Sequence, residues 1–386
     1  MEQLSGAFAY LFTGQPFLVL LAGVAAGIIF GAAPGLTGVM AMALMLPITL
    51  FMDSGIALIL MLSLYMGAGA NIGARSGLAA FAGGLVGWVM LAALAAPLAA
   101  IAGRLGPFEI FSLLFAALIL FSSLGQRSVL KGLAAGFLGA AISMIGAGAL
   151  GGTRLTFGLE ELEAGFRLLP VILGILVLGP VLGGVIGSAR PAEKTGTAAA
   201  AAKSAAHSGA VLPLISLGIP AGGAGVLLLG ALLLHGLAPG PRLFRDAAGA
   251  AYGIIAAAPV ANFVVLAARM TTAPLLALLA DISRGYLVAP IEVFAFIGAF
   301  SQDNRLFDVW VMAGFGLLAA LMQAAKAPTA PLLIGYMLAP MAEAQLRAGL
   351  ALSHGTPWSL VTRPVSLLFL SIAVIALAWP YLRRRR

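Results

Sequence analysis

Two short strings of the chain combine proline and glycine where apolar residues surround them: Gly31-Ala32-Ala33-Pro34-Gly35-Leu36-Thr37-Gly38, and Leu217-Gly218-Ile219-Pro220-Ala221-Gly222-Gly223. Neither string can continue a regular helix, because proline lacks an N–H and glycine loosens the backbone. Backbone N–H groups left open where a helix resumes, aided by the helix dipole, are donors for an anion such as a carboxylate. Pro34, Gly35, Thr37 and Gly38 are the candidates at the first break, and Gly218, Pro220, Gly222 and Gly223 at the second, with the donors expected from Gly35 to Gly38 and from Ala221 to Ala224. Ser208 and Gly209 precede the second break, and Gly67 and Gly69 would allow close approach of backbone to a solute. The alternative for these glycines is helix packing.

Side-chain chemistry is sparse. Arg75 stands between two uncharged stretches and is a candidate for bidentate pairing with a carboxylate, against the alternative of a snorkelling arginine at a helix end. Lys203 and His207 read as a loop cation and a capping or solvated histidine. Unwound carbonyls with Thr37, Asn71 and Ser216 would suit sodium coupling, Asn71 also serving substrate binding, whereas a proton would require a buried carboxylate. Asp53, Glu109, Asp281, Glu292, Asp303 and Asp308 are the carboxylates near apolar segments, and most read as loop-edge positions. No cofactor is expected beyond sodium or a proton as the coupling ion. The absence of cysteine removes disulfide, thiolate-metal and thiol chemistry, and no metal site is expected.

The elements that must position these groups lie in lipid. Of 386 residues, 62% are hydrophobic and 9% charged, with a mean hydropathy of +1.10, far from a soluble composition of about a quarter charged. Uncharged stretches span 3–52, 54–74, 76–103, 110–126, 132–153, 168–189, 204–241, 247–268 and 364–382. The fold class expected is an all-α polytopic transmembrane helix bundle with ~11 crossings, in two pseudo-repeat halves with broken helices. Small residues four apart, Gly23 with Gly27, Gly83 with Gly87 and Gly179 with Gly183, predict close helix contact. The polar start of 188–208 marks a cytoplasmic linker between a first half, 1–187, and a second, 209–386. The net charge of +8 fits positive-inside topology better than nucleic-acid binding: 126–131 and 190–203 face the cytoplasm, the loop with Glu160, Glu161 and Glu163 faces outside, and the Arg383–Arg386 tail inside. No cleavable signal peptide is evident.

Backbone interrupted within lipid is tolerated only where protein covers it or a cavity adjoins it, so paired breaks predict a carrier with a midplane site between inverted repeats. An intramembrane hydrolase using Ser76 with His207, or Asp53 with Asp281, is the rival reading; it leaves the two breaks unexplained.

Longer strings carry a resemblance. Ser208 to Pro220, continuing through Leu228-Leu229-Gly230-Ala231-Leu232-Leu233-Leu234-His235-Gly236-Leu237-Ala238-Pro239-Gly240-Pro241, resembles the large membrane subunit of the tripartite tricarboxylate transporters, the TctA family. Leu105 to Glu109, Val129 to Leu133 and Thr156 to Leu162 are similar to that family's middle region, and Leu306 to Trp310, Ala330 to Leu332 and Thr362 to Ser366 to its C-terminal third. The resemblance implies a permease subunit of the bacterial inner membrane for tri- or dicarboxylates, driven by sodium or protons, with a small four-helix membrane subunit and a periplasmic solute-binding protein as partners. The chain is shortened, however. After Gly187-Ser188-Ala189-Arg190 the family's second proline-glycine helix pair is missing, its tandem asparagine falls at Lys203-Ser204, and its Tyr-Gly-Gly-Ser loop appears as Tyr65-Met66-Gly67-Ala68-Gly69-Ala70-Asn71. A non-transporting remnant or scaffold is therefore the alternative function.

Overall fold

The computed structural model describes residues 2–33, 36–69, 74–123, 128–147, 152–186, 197–280, 284–356 and 358–383. The chain is almost entirely helical. In order run α1 (Glu2–Leu11), α2 (Gln15–Ala32), α3 (Gly38–Thr49), α4 (Ser54–Ala68), α5 (Ala74–Ala102), α6 (Pro107–Ser123) and α7 (Val129–Ser143). A two-stranded antiparallel hairpin follows, β1 (Gly146–Ala147) with β2 (Thr153–Arg154). Next come α8 (Leu168–Leu173), a wide π turn over 174–178, α9 (Gly179–Ile186), α10 (Thr197–Leu217), α11 (Gly222–Leu234), α12 (Pro241–Asp246) and α13 (Ala248–Ala280). The last are α14 (Arg284–Ser301), α15 (Leu306–Ala324), α16 (Ala330–Leu352), α17 (Ser359–Thr362) and α18 (Pro364–Arg383). The π turn has a local cause. Pro180 has no N–H for the Leu176 carbonyl, and the Gly179 N–H reaches back to Gly174 instead.

Among the described residues, four helices are long and apolar enough to cross a membrane: Gln15–Ala32, Gly77–Ala102, Ala248–Ala268 and Leu306–Ala324. The pair α10 and α11, bent by 42° at its break, makes a fifth if taken as one span. The chain is a polytopic membrane protein, but this corrects the count of eleven crossings. Apolar length in the sequence is cut into pieces: α3, α4 and α7 have 12, 15 and 15 residues, and at 1.5 Å per residue such helices stop short of the ~30 Å hydrocarbon layer. The extended Ala33 and Thr37, the turn at 50–53 and the end of α4 at Gly69 make the cuts.

Glycine lets backbones touch. A Cβ at Gly23 would strike the Ser63 hydroxyl and one at Gly27 the Leu64 carbonyl, which locks α2 onto α4. Gly83 and Gly87 press in the same way on the Ala201 and Ala205 carbonyls of α10, and Gly179 and Gly183 on Ala319 and Gln323 of α15. All three glycine pairs expected to bring helices together do so. Trp88 Nε1 donates to the Ile255 carbonyl at 3.0 Å and Asn262 Nδ2 to the Phe81 carbonyl at 2.9 Å, tying α5 to α13.

The contacts sort the loops into two ends. At one, Arg154 meets Glu343 at 2.8 Å, Arg167 meets Asp303 at 2.9 Å, Arg363 meets Glu109 at 2.9 Å, and Arg305 donates to the Glu161 carbonyl at 3.2 Å. At the other, Lys131 Nζ donates to the Ala325 carbonyl at 2.6 Å. We call these the ion-paired end and the lysine end. Within the expected linker, 197–208 form the first turns of α10, since an alanine run is a strong helix former. Of the remainder, 188–196 lie outside the described residues.

Candidate functional site

At the first break, Ala33 leaves α2 in extended conformation with φ −70° and ψ 130°. Thr37 restarts the helix as N-cap, its Oγ1 accepting from the Met40 N–H at 3.2 Å. The first turn-closing bond of α3 runs from the Ala41 N–H to the Thr37 carbonyl, so the Gly38 and Val39 N–H groups precede the ladder. Pro34, Gly35 and Asn71 lie outside the described residues.

At the second break α10 ends on a left-handed glycine cap, the Gly218 N–H bonding the Leu214 carbonyl at 3.0 Å. Gly218 has φ +76°, and the Ile219 N–H reaches the Pro213 carbonyl at 3.1 Å. After Pro220, Ala221 opens α11 in extended conformation without any side-chain cap, and Gly222 adopts φ +80°. A Cβ at Gly222 would meet nothing within 4 Å. The N-terminus of α11 is thus uncapped and unobstructed.

The two restarts are neighbours. A Cβ on Gly223 would sit 3.3 Å from Val39 Cγ1, which places the first turn of α11 against the first turn of α3. At their far ends, His235 Nε2 lies 2.9 Å from the Thr49 carbonyl oxygen. The half-helices therefore run parallel, positive ends together, and like dipole ends side by side favour an anion between them. A two-fold axis in the membrane plane would relate an outward-running helix to an inward-running one, so it does not relate α3 to α11.

The other expected residues divide. Gly38 packs on Ala68, and Gly67 faces the Val24 carbonyl in the seam between α2 and α4. Gly69 lies under the imidazole of His207, whose ring centroid is 4.5 Å from that of Tyr65. Gly209 has open space, while the Ser208 hydroxyl donates to the Gly84 carbonyl at 3.4 Å, and that of Ser216 to the Leu212 carbonyl of its own helix. The three hydroxyls proposed for binding or coupling, Thr37, Ser208 and Ser216, are thereby already engaged with backbone. Arg75 sits in the first turn of α5, with its side chain outside the described residues.

Two residues stand differently from their sequence reading, and a third had none. His207 is packed between α4 and α10 instead of solvated, and Asn262, overlooked in the sequence, is buried beside it. Together with Gly69, Gly77, Phe81 and Ser204 they border a cavity of about 10 Å³, the size of one water. Asp308, read as a loop edge, is 1% exposed, and its Oδ2 has no hydrogen-bond partner among the described residues. Only a histidine or asparagine interrupting an apolar helical run signalled the first two in the sequence.

A larger cavity, of about 810 Å³, opens at the ion-paired end and reaches Leu217 and Pro239 beside the second break, with Arg242, Arg245 and Gln345 on its wall. Arg245 pairs with Asp246 at 3.1 Å, whereas Arg242 has no acidic partner among the described residues. No group of three histidine, cysteine or carboxylate side chains that could hold a metal occurs among the described residues.

Comparison with known proteins gives this geometry a context. The model of the tripartite tricarboxylate transporter TctA family matches residues 17–72, 74–200 and 191–334. The chain belongs to the TctA family. It is a transport protein and not an enzyme, which removes the hydrolase reading. An uncharacterized 52.8 kDa protein from the TAR-I ttuC′ 3′ region of Agrobacterium vitis is 26% identical over 490 aligned positions, covering 100% of this chain and 98% of the relative. An uncharacterized protein from the TAR-II ttuC′ 3′ region of the same organism is 33% identical over 188 residues, 48% of this chain and 78% of that relative. The 490 aligned positions exceed the 386 residues of this TctA chain, so the 52.8 kDa relative carries sequence that it lacks. The overlap of two family segments at 191–200 puts a join at the expected gap. No solved structure matches.

Proposed function

We propose that the protein is the permease subunit of an ion-coupled carrier for tricarboxylates or related carboxylates, seated in a bacterial inner membrane. The observation that carries this reading is the pair of parallel half-helices whose positive ends adjoin at Val39 and Gly223, that of α11 without a side-chain cap. Backbone N–H groups there, from Gly38 and Val39 and from Gly222 to Ala224, bind the carboxylate, with Pro220 keeping the second break open; Pro34 and Gly35 are assigned to the same site on sequence alone. The cavity bordered by Arg242 admits the anion from the ion-paired end, which faces outside under positive-inside topology. A small membrane subunit and a periplasmic solute-binding protein complete the system, as the family name implies. Thr37 and Ser216 serve the half-helices first, and sodium coupling through them would use their carbonyls. Arg75, Asn71 and Gly69 stay assigned to the same region, and the halves 1–187 and 209–386 move against each other around it. The full crossing count of eleven would require the short apolar helices to pair end to end across the membrane.

The test is uptake of labelled citrate and succinate into proteoliposomes containing the accessory subunits. Wild type should accumulate at least one of them. Gly223→Phe, which wedges an aromatic ring against Val39, should insert normally and lose at least ~10-fold in uptake, equal to ~1.4 kcal/mol of binding. Uptake unchanged in Gly223→Phe would move the site elsewhere. The shorter length relative to the 52.8 kDa homologue favours a second reading, a remnant that scaffolds the accessory subunits. Co-purification of those subunits without uptake of any carboxylate would select it.

A further inference from the structure

The far ends of the two half-helices hold a group that the anion site does not use. His235 follows the last residue of α11, and both of its ring nitrogens lie on carbonyl oxygens: Nδ1 at 2.9 Å from Ala231 and Nε2 at 2.9 Å from Thr49. Carbonyl oxygens only accept, and a neutral imidazole has a single N–H to give. Both contacts are hydrogen bonds only in the imidazolium. The two acceptors belong to the last turns of α11 and α3, where parallel dipoles bring their negative ends together and a cation is favoured.

We propose that His235 is the site of the coupling proton: as imidazolium it latches α3 to α11, and its deprotonation breaks one of the two bonds and lets the half-helices part. The inference rests on the carrier reading above, since α3 and α11 come from the two halves whose relative movement would transport the solute. The proton comes from water on the ion-paired side, occupies a ring nitrogen while the anion occupies the opposite ends of the same helices, and returns to water when the pair separates. No net charge has to be created in the protein interior without its counter-charge.

The elements packed on α11 are α3, α4, α8, α10 and α16. Helix α3 is uncharged, α4 brings Asp53 at its N-cap, and Arg167 before α8 is paired with Asp303. In α10, Lys203 and His207 lie toward the opposite end from the α10–α11 break, and in α16 Glu343 and Arg347 pair with each other. Among these groups Asp53 is the carboxylate that no ion pair engages among the described residues.

The test uses the full chain in nanodiscs. With three histidines and no cysteine in the sequence, ¹⁵N-histidine spectra are assigned by His235→Gln, and spin labels at Phe51→Cys and Ala238→Cys report the separation of the latched ends. As pH rises, the wild-type separation should lengthen over the interval in which the His235 signals lose one ring proton. His235→Lys should stay short throughout, and His235→Gln should show no pH-dependent change. A separation insensitive to pH in wild type, or the same response in His235→Gln, overturns the latch. If a variant does not fold, the two wild-type curves decide, and their failure to coincide overturns it. Saturating citrate or succinate should tighten proton binding at His235 roughly five-fold or more. A carboxylate that binds, by thermal stabilisation, without moving that titration overturns the coupling role and leaves the carrier reading standing. Absence of any carboxylate binding removes the carrier reading and the coupling role with it.

Discussion

Thr37 shows how a residue chosen for ligand chemistry can be fully occupied by local structure. Its hydroxyl accepts from Met40 N–H, so Thr37→Ala should cost about 1 kcal/mol through loss of the cap while Thr37→Asn costs a few tenths at most, read as the thermal midpoint of the detergent-solubilised protein. Ser208 and Ser216 teach the same lesson, since short hydroxyl side chains on helices find backbone carbonyls before they find solutes. The proline and glycine breaks were legible because no residue pattern hides a missing N–H. The roles of His207, His235 and Asn262 were not, because each is a single polar residue in an apolar run, and only the partner brought by another helix gives it meaning. Glu343 adds a pH prediction outside the spanning segments. The hydrogen bond from Arg154, aided by Arg347, holds its carboxyl below the usual carboxylate range against partial burial. A lowered value in the folded state stabilises at pH above the unfolded value and is lost as pH falls through the folded one. The stability difference between wild type and Glu343→Gln should therefore shrink on acidification below about pH 4, in thermal scans at stepped pH.

At the scale of elements, the glycine pairs decide which helices touch. Helices α7 and α16 meet most closely: a Cβ at Gly139 would strike the Leu332 carbonyl and one at Gly335 the Gly136 carbonyl. Backbone atoms cannot step aside as a flexible side chain can. Gly335→Ala should destabilise by about 1–3 kcal/mol, measured by chemical or thermal denaturation, whereas Gly314→Ala on α15, where a Cβ would meet nothing within 4 Å, should be tolerated. The spacing of small residues made such contacts readable in sequence without naming the partner helix. Crossing number was less readable. Hydropathy measures apolar length and is blind to where a chain turns back, so the run 3–52 counted as two crossings although it holds one helix of spanning length and the short α1 and α3.

For the whole molecule, the charge pattern and the structure agree on two ends. The loop with Glu160 and Glu161 belongs to an ion-paired surface, and Lys131 with Lys326 to the opposite one. The division into halves is less separate than the polar linker implied, because α10 packs along α5 and α13 along α2 and α4. What unites the two parts is the parallel pair α3 and α11, which no sequence feature announced as parallel. The most direct measurement exploits the cysteine-free chain: Ala221→Cys places one thiol at the N-cap of α11, and its rate of modification by a water-soluble thiol reagent is followed in membranes. A carboxylate held between the half-helix ends should slow that rate several-fold, with the corresponding neutral amide having no effect. A rate indifferent to every di- and tricarboxylate offered, in protein that still binds one of them, would contradict the placement of the anion at the two adjoining helix starts.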